Sequence, residues 1–452
     1  MTTPSLTPAA SLTTEEASLD TAPAETTGLS SVAVLGGGPA GLYFAISLKM
    51  RSPNVDIAVF ERNRPNDTFG WGVVLSDETL TNLDDNDPVS ATEIREHFAY
   101  WDDIALHHRG QRLVSTGHGF CGIGRKRLLL ILQARARELG VELHFETIID
   151  APGDYASAYD IVVAADGINS RTRSEYESTF EPNTELRLCQ FVWLGTHQKF
   201  DDAFTFIFEE TEHGWMWAHA YQFDDELATF IVECSQSTFD GFGFADLTQQ
   251  ESVTICQDVF ADYLGGHSLM TNAHHIRGSA WIRFPHVLCE TWHTDNIVLL
   301  GDASATAHFS IGSGTKLALE SAAALARLIV DQPSIGDAFS AYEQERRIEV
   351  LRLQSAAQNS MEWFENVERY LDLDPVQLNY SLLTRSQRIS HENLRERDPA
   401  WLAEAERWFQ TQAGAADDAP IRAPMFAPFQ LRGLELINRI VVSPMAQYKA
   451  AD

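Results

Sequence analysis

Six residues constrain this chain more than any others: Gly36-Gly37-Gly38-Pro39-Ala40-Gly41. They sit between a short, apolar, β-branched run (Ser31 to Leu35, SVAVL) and an apolar stretch of helical character beginning at Leu42. A buried strand that turns through glycines directly into a helix is the opening unit of a dinucleotide-binding α/β sheet. Gly36 permits the turn, Gly38 lets the backbone approach a pyrophosphate, and Gly41 lets helix and strand pack closely. Pro39 and Ala40 open the helix, whose free N–H groups suit phosphate. A second strand-like run, Asp56 to Phe60 (DIAVF), ends at Glu61, 20 residues beyond Gly41, with Arg62 next. An acid at that offset is the expected acceptor for an adenosine ribose hydroxyl. A glycine turn kept only for packing leaves that acid unexplained.

Two later segments repeat the pattern of a buried strand ending in a carboxylate. Ile161-Val162-Val163-Ala164-Ala165 runs into Asp166-Gly167, and Ile297-Val298-Leu299-Leu300 runs into Gly301-Asp302. The second continues through a small-residue loop containing Gly312 and Gly314 to a helix expected over 316–329. Carboxylates at strand ends suit ribose and ribityl hydroxyls, and the helix start suits a phosphate or a ring carbonyl. Taken singly, each is also an ordinary strand exit capped by Asp.

The glycine fingerprint, the Asp-Gly box and the Gly-Asp box together resemble the FAD-dependent aromatic hydroxylases of the para-hydroxybenzoate hydroxylase type. Ile123-Gly124-Arg125-Lys126-Arg127-Leu128 is similar to that family's arginine-bearing helix start. The resemblance covers about residues 30–400. It implies bound FAD, NADH or NADPH as a docking reductant, O2 as co-substrate, and hydroxylation of an electron-rich ring. Only one Rossmann fingerprint is present, so the nicotinamide has no domain of its own. Phe69-Gly70-Trp71-Gly72-Val73-Val74-Leu75, His308-Phe309-Ser310-Ile311-Gly312 and Phe230-Ile231-Val232-Glu233-Cys234-Ser235 look like the subgroup acting on salicylyl-CoA and anthraniloyl-CoA at position 5. The loop after Gly-Asp departs from the wider family by lacking its proline pair. Residues 424–448 resemble the opening strand of an old yellow enzyme barrel, yet only 29 residues run from Pro424 to Asp452, against about 250 for a (β/α)8 barrel. Such an isolated strand, with an unpaired edge, is expected to be disordered or to promote association.

From Leu188 to Cys234 the pattern alternates, placing Trp215, Trp217, His219 and Tyr221 on one strand face and Met216, Ala218 and Ala220 on the other. The expected fold is α/β: a Rossmann-like FAD-binding domain with an inserted antiparallel β-sheet substrate domain and a C-terminal helical layer. The boundaries read as a disordered leader at 1–28, the FAD domain at 29–175 and 281–340, the substrate sheet at 176–280, a helical tail at 341–410, a linker at 411–423 and the barrel-like stub at 424–452. Trp71, Trp217 and His219 are candidate substrate contacts, although an aromatic stripe also serves as plain core and His219 as a structural histidine. His308 is the candidate catalytic side chain beside the flavin, to orient the ring's donor group or manage its proton; a structural loop histidine is the alternative. Glu343, Glu345 and Arg346 read as the solvated face of a helix, and Asp84, Asp85 and Asp87 as a surface loop rather than a metal site. No metal is expected.

Charge excludes some partners. With 33 Lys+Arg against 64 Asp+Glu, the net charge of −31 argues against nucleic acid, and it also repels an anionic CoA ester, which would need a local basic patch. No apolar run approaches the roughly 18–20 residues of a membrane span. Five dispersed cysteines without a CxxC pair fit reduced, buried thiols. A cytoplasmic enzyme, with a homodimer as candidate assembly, is the expectation. Three alternatives stay open: a hydroxylase of a free aromatic or indolic substrate, a flavin reductase or dehydrogenase without oxygenation, and a flavin-holding fragment.

Overall fold

A computed structural model describes residues 28–68, 70–75, 77–200, 203–273, 280–416 and 418–443, the side chains of residues 77 and 78 excepted. The expected leader therefore lies outside the described residues, apart from Gly28, as do Phe69 and the Pro444-Met445 part of the barrel-like tail.

Ser31–Leu35 is buried along both faces, the signature of a parallel strand covered by helices. It lies between Asp56–Phe60 and Ile161–Ala164, parallel to each, and Ile297–Leu299 pairs beyond Ile161–Ala164. Glu142–His144 extends the sheet at one edge and His293–Thr294 at the other. The helix Pro39–Arg51 starts at an extended Gly38 with Pro39 in its first turn, and it carries Lys49 and Arg51 in its last; proline at the start and cations at the end are both favourable. It packs against the helix Gly314–Asp331.

An eight-stranded sheet stands beside this layer. Its order is Leu269–Met270, Pro182–Thr196, Ala228–Cys234, Gly214–Gln222, Ala203–Thr211, Asp103–His108 and Gln111–Ser115, with Ile282–Cys289 also pairing Pro182–Thr196. Asp103–His108 pairs parallel to Ala203–Thr211, so two strands from early in the chain extend the later sheet. The alternation read in Gly214–Gln222 separates two cores: Met216, Ala218 and Ala220 pack toward the helices at 236–259, and Trp217 packs toward the C-terminal helices.

The helix Ile335–Glu365 has 31 residues and so runs about 46 Å, joining the two layers. Two expectations of solvation fail along it and near it. Arg346 is buried against Ser321 and Glu320, and Glu343 accepts from the Trp292 backbone N–H and from His293. Asp84 and Asp85 belong to the helix Asp77–Asn86, and Asp87 is fully buried, held in a two-pronged pair by Arg135 Nε and Nη2 at 3.0 Å each. Glu343, Arg346 and Asp87 each have a partner supplied by another element, whereas Glu345 and Asp85 are exposed as expected.

All five cysteines are free and buried. Residues 429–436 form a hairpin, Phe429–Leu431 against Leu434–Leu436, so the expected lone strand has a partner within its own segment; Arg439 lies over the rings of Phe409 and Phe429. Among the described residues no helix is long and apolar enough to cross a membrane.

Arg135→Met leaves the Asp87 carboxylate buried without its cation and should lower stability by about 3 kcal/mol in urea denaturation. Replacing both residues with apolar side chains should recover most of that loss.

Candidate active site

The three corners picked out in the sequence meet. A Cβ on Gly36, whose φ is +115°, would run into the Ala165 carbonyl, which joins the fingerprint to the Asp-Gly box. One on Gly301 (φ +66°) would lie 3.1 Å from Ala40 Cβ, and one on Gly312 (φ +62°) 3.2 Å from Val74 Cβ. These contacts enclose a cavity of about 240 Å³, onto which Gly38, Pro39, Ala40, Arg125, Asp302, Gly312 and Gly314 all open. A Cβ at Gly38 would meet nothing within 4 Å, as the cradle of a bound group requires. Gly41, in the first turn of the helix Pro39–Arg51, faces the Gly36 carbonyl and Val34 in a packing role.

The carboxylates around the cavity differ in what they have left to offer. Glu61 Oε2 accepts from Gly37 N–H at 2.8 Å, and Oε1 accepts from Asn63 N–H and Nδ2 at 2.8 Å each. Three of its roughly four lone-pair sites are thus taken. Asp166 Oδ2 accepts from the Thr172 N–H and hydroxyl, while its buried Oδ1 has no partner. Surrounding protein raises the Asp302 carboxyl, Arg125 opposes that rise, and burial lowers the Arg125 guanidinium. An unpartnered carboxylate oxygen, a cationic helix start and an open glycine cradle together fit a flavin dinucleotide. Arg62 lies outside the cavity, on a neighbouring groove of about 750 Å³ shared with Trp71, Lys126 and Arg127.

The roof is aromatic. Trp193, Phe204, Tyr221, Phe284 and Phe309 line the cavity, and Tyr221 donates its hydroxyl to the Gly72 carbonyl at 2.9 Å. The Gly-Trp-Gly phrase acts as a clamp on this sheet. A Cβ on Gly70 would lie 3.1 Å from the Trp193 ring, Trp71 lies over Gly195, Phe223 covers Gly72, and Gly72 N–H reaches Thr229 Oγ1 at 2.9 Å. Trp71 consequently faces the outer groove and not the cavity.

Of the two candidate histidines, His219 is at the cavity wall and His308 is not among its lining residues. His308 caps the turn Phe309–Ile311 by accepting from Ser310 N–H, with its ring against Phe284. Burial pushes it down to about 4, which Glu233 opposes. Trp217 also stands back from the cavity, stacked on Phe364 with its Nε1–H donated to Glu233 Oε2 at 2.9 Å. The same carboxylate oxygen meets His219 Nε2 at 3.2 Å, and His219 Nδ1 is buried without a partner. Burial, with Arg385 adding to it, drives the His219 imidazolium down to about 3, so the ring is neutral at ordinary pH. Burial pushes the Glu233 carboxyl up to about 7, against the pull of His308 and the Trp217 hydrogen bond. Glu233, which in the sequence stands only within a family-like phrase, was not singled out as a site residue; its signal was one carboxylate near the end of the mainly apolar strand Ala228–Cys234.

No protein-family model matches the chain. It is 38% identical over 412 residues to salicyloyl-CoA 5-hydroxylase of a Streptomyces species, covering 88% of this chain and 77% of that protein. It is 34% identical over 363 residues to the 3-hydroxy-4-methyl-anthranilyl-[aryl-carrier protein] 5-monooxygenase of Streptosporangium sibiricum, covering 80% and 96%. Protodeoxyviolaceinate monooxygenase of Chromobacterium violaceum is 32% identical over 363 residues, covering 79% and 95%. Among solved structures, 2-methyl-3-hydroxypyridine-5-carboxylic acid oxygenase in its tetrameric form superposes with a TM-score of 0.60 at 16% identity, over 83% of this chain and 99% of that one. PqsL of Pseudomonas aeruginosa with 2-aminobenzoylacetate gives 0.59 at 18%, over 75% and 98%. Those two likenesses establish the shared fold.

The raised Glu233 carboxyl makes a stability prediction. Its ordinary value is 4.5 and its folded value about 7, so its contribution is fully present below pH 4.5 and is lost as pH rises through 7. Glu233→Gln should remove that part of the decline, at most about 3 kcal/mol, when denaturant unfolding of the two proteins is compared from pH 4.5 to 7.5.

Proposed function

This chain belongs to the FAD-dependent aromatic monooxygenases, and from that premise we propose that it hydroxylates an aromatic ring carried as a coenzyme A thioester. The favoured position is para to a hydroxyl or amino group, as at position 5 of salicyloyl-CoA or anthraniloyl-CoA. Two relatives are named for oxygenation at position 5 of aryl groups held on coenzyme A or on an aryl-carrier protein. The observation that carries the reading is a polar spot in the aromatic wall: His219, with Glu233 behind it and a buried Nδ1 that lacks a partner.

FAD, when bound, supplies the redox chemistry by which NADH or NADPH and O2 deliver one oxygen atom to the ring. Gly36, Gly38, Pro39, Ala40, Gly41 and Arg125 would hold its pyrophosphate, with Glu61 and Arg62 at the adenosine ribose. Asp166, Gly301 and Asp302 would meet the ribityl chain, and Gly312 and Gly314 the ring carbonyls. Phe204, Tyr221, Phe284 and Phe309 hold the substrate ring flat and exclude water. The ring's hydroxyl or amino group donates to the neutral His219 Nδ1, which orients it, while Glu233 accepts from Nε2–H and so fixes the tautomer that leaves Nδ1 an acceptor. His308 is a positioning residue for the wall, acting through Phe309 and Phe284.

Free and CoA-linked salicylate and anthranilate, supplied with NAD(P)H and read by product mass, test the substrate class. A gain of one oxygen on the thioesters alone is the expected result, and turnover of the free acids alone would overturn it. His219→Leu should lower product formation about 100-fold while NAD(P)H oxidation persists, a loss of coupling that a merely structural role would not give. His308→Ala should keep FAD and have the smaller effect on coupling.

A further inference from the structure

The net charge of −31 poses a problem for any substrate bearing several phosphates, and beside the cavity the described residues include a place where the sign is reversed. A cleft of about 610 Å³ runs beside the cavity, lined by Arg385, Arg388, Arg397, Lys316 and His118 among small and apolar residues. No carboxylate is among its lining residues. The guanidinium groups of Arg385, Arg388 and Arg397 make no ion pair among the described residues. Arg385 donates to Ser360 Oγ and to the Leu382 and Ser310 carbonyls, Arg397 to the His118 carbonyl, and Arg388 weakly to Ser313 Oγ. Lys316 does have an acidic neighbour, Glu320, at 3.7 Å. Glu320 and Glu349 belong to an adjoining groove beyond Lys316 and Arg388. Three arginines bonded only to neutral oxygens, in a chain with almost twice as many acids as bases, concentrate positive potential where the rest of the surface repels anions. The other basic groove, beside Arg62, Lys126 and Arg127, also holds Asp67 and Asp224 and lies next to Glu61.

The cleft and the cavity share a wall: Val74, Gly312 and Ser313 line both. A ligand with an aromatic end in the cavity can therefore continue past Gly312 and place an anionic end among the arginines. We propose that this cleft binds the phosphate groups of the substrate's thiol carrier, with coenzyme A as the ligand, so that the pantetheine arm passes along Val74, Gly312 and Ser313. The proposal rests on the thioester reading above.

The test titrates the FAD-loaded protein calorimetrically with coenzyme A, using the native chain, Arg388→Lys, Arg388→Glu and Arg397→Gln. Arg388 is exposed, and flavin absorbance reports that each variant remains folded. Affinity should fall about tenfold or more in Arg388→Glu, fall in Arg397→Gln, persist in Arg388→Lys, and weaken with added salt in the native chain. In turnover, the native preference for salicyloyl-CoA over the phosphate-free salicyloyl thioester of N-acetylcysteamine should collapse toward unity in Arg388→Glu. Failure of the native chain to bind coenzyme A, equal binding by Arg388→Glu, or an equal KM change on both thioesters would overturn the cleft assignment. Turnover of a carrier-protein thioester without coenzyme A binding would overturn it in favour of a protein carrier. Charge-dependent coenzyme A binding without hydroxylation of either thioester would leave the cleft standing and defeat the substrate reading instead.

Discussion

At the ends of the parallel strands the Gly36 backbone presses against the Ala165 carbonyl so closely that even a methyl group on Gly36 has no room. The approach brings neighbouring strand ends together while the chain leaves them in opposite directions, toward Pro39–Arg51 on one side and the Asp166 turn on the other. Open α/β sheets form their ligand crevice at such a divergence. Gly301, set against Ala40, adds the third corner. The cavity is thus a product of backbone geometry, and its chemistry is added by side chains from elsewhere: Arg125 from one helix start, His219 and Tyr221 from the second sheet, Phe309 from the loop after Asp302.

Keeping a roof from one sheet registered over a floor from another needs rigid ties. The Gly-Trp-Gly segment provides one by locking flat against Trp193, Gly195 and Phe223. The helix Ile335–Glu365 provides the second. Its first half pairs through Arg346 with Glu320, Gln354 in its middle donates to the Val287 and Thr306 carbonyls, and Phe364 at its end stacks on Trp217. One helix therefore touches the floor, the cavity loop and the roof.

Most of the floor was legible in the sequence because it depends on local rules: glycine at tight backbone approaches, β-branched runs for covered strands, an acid at a fixed offset. Gly36, Gly38, Arg125, Asp302, Gly312 and Gly314 come together for those reasons. What failed depends on partners far away in the chain. Asp87 and Arg346 looked solvated because Arg135 and Glu320 are 48 and 26 residues distant. The aromatic stripe was read with the right alternation, but periodicity gives a face and not what covers it; Phe364 and the C-terminal helices take Trp217, and His219 alone of the predicted pair reaches the cavity. That His219 lines the cavity and His308 does not was invisible for the same reason.

The five buried cysteines bear on durability. Peroxide oxidises cysteine through its thiolate form. Burial raises Cys189, Cys234 and Cys256 far above the ordinary thiol range and Cys289 to about 11. Those sulfurs are buried and held toward the protonated thiol, the form that peroxide attacks least. The tight packing that shapes the cavity thereby also shields its thiols from oxidants.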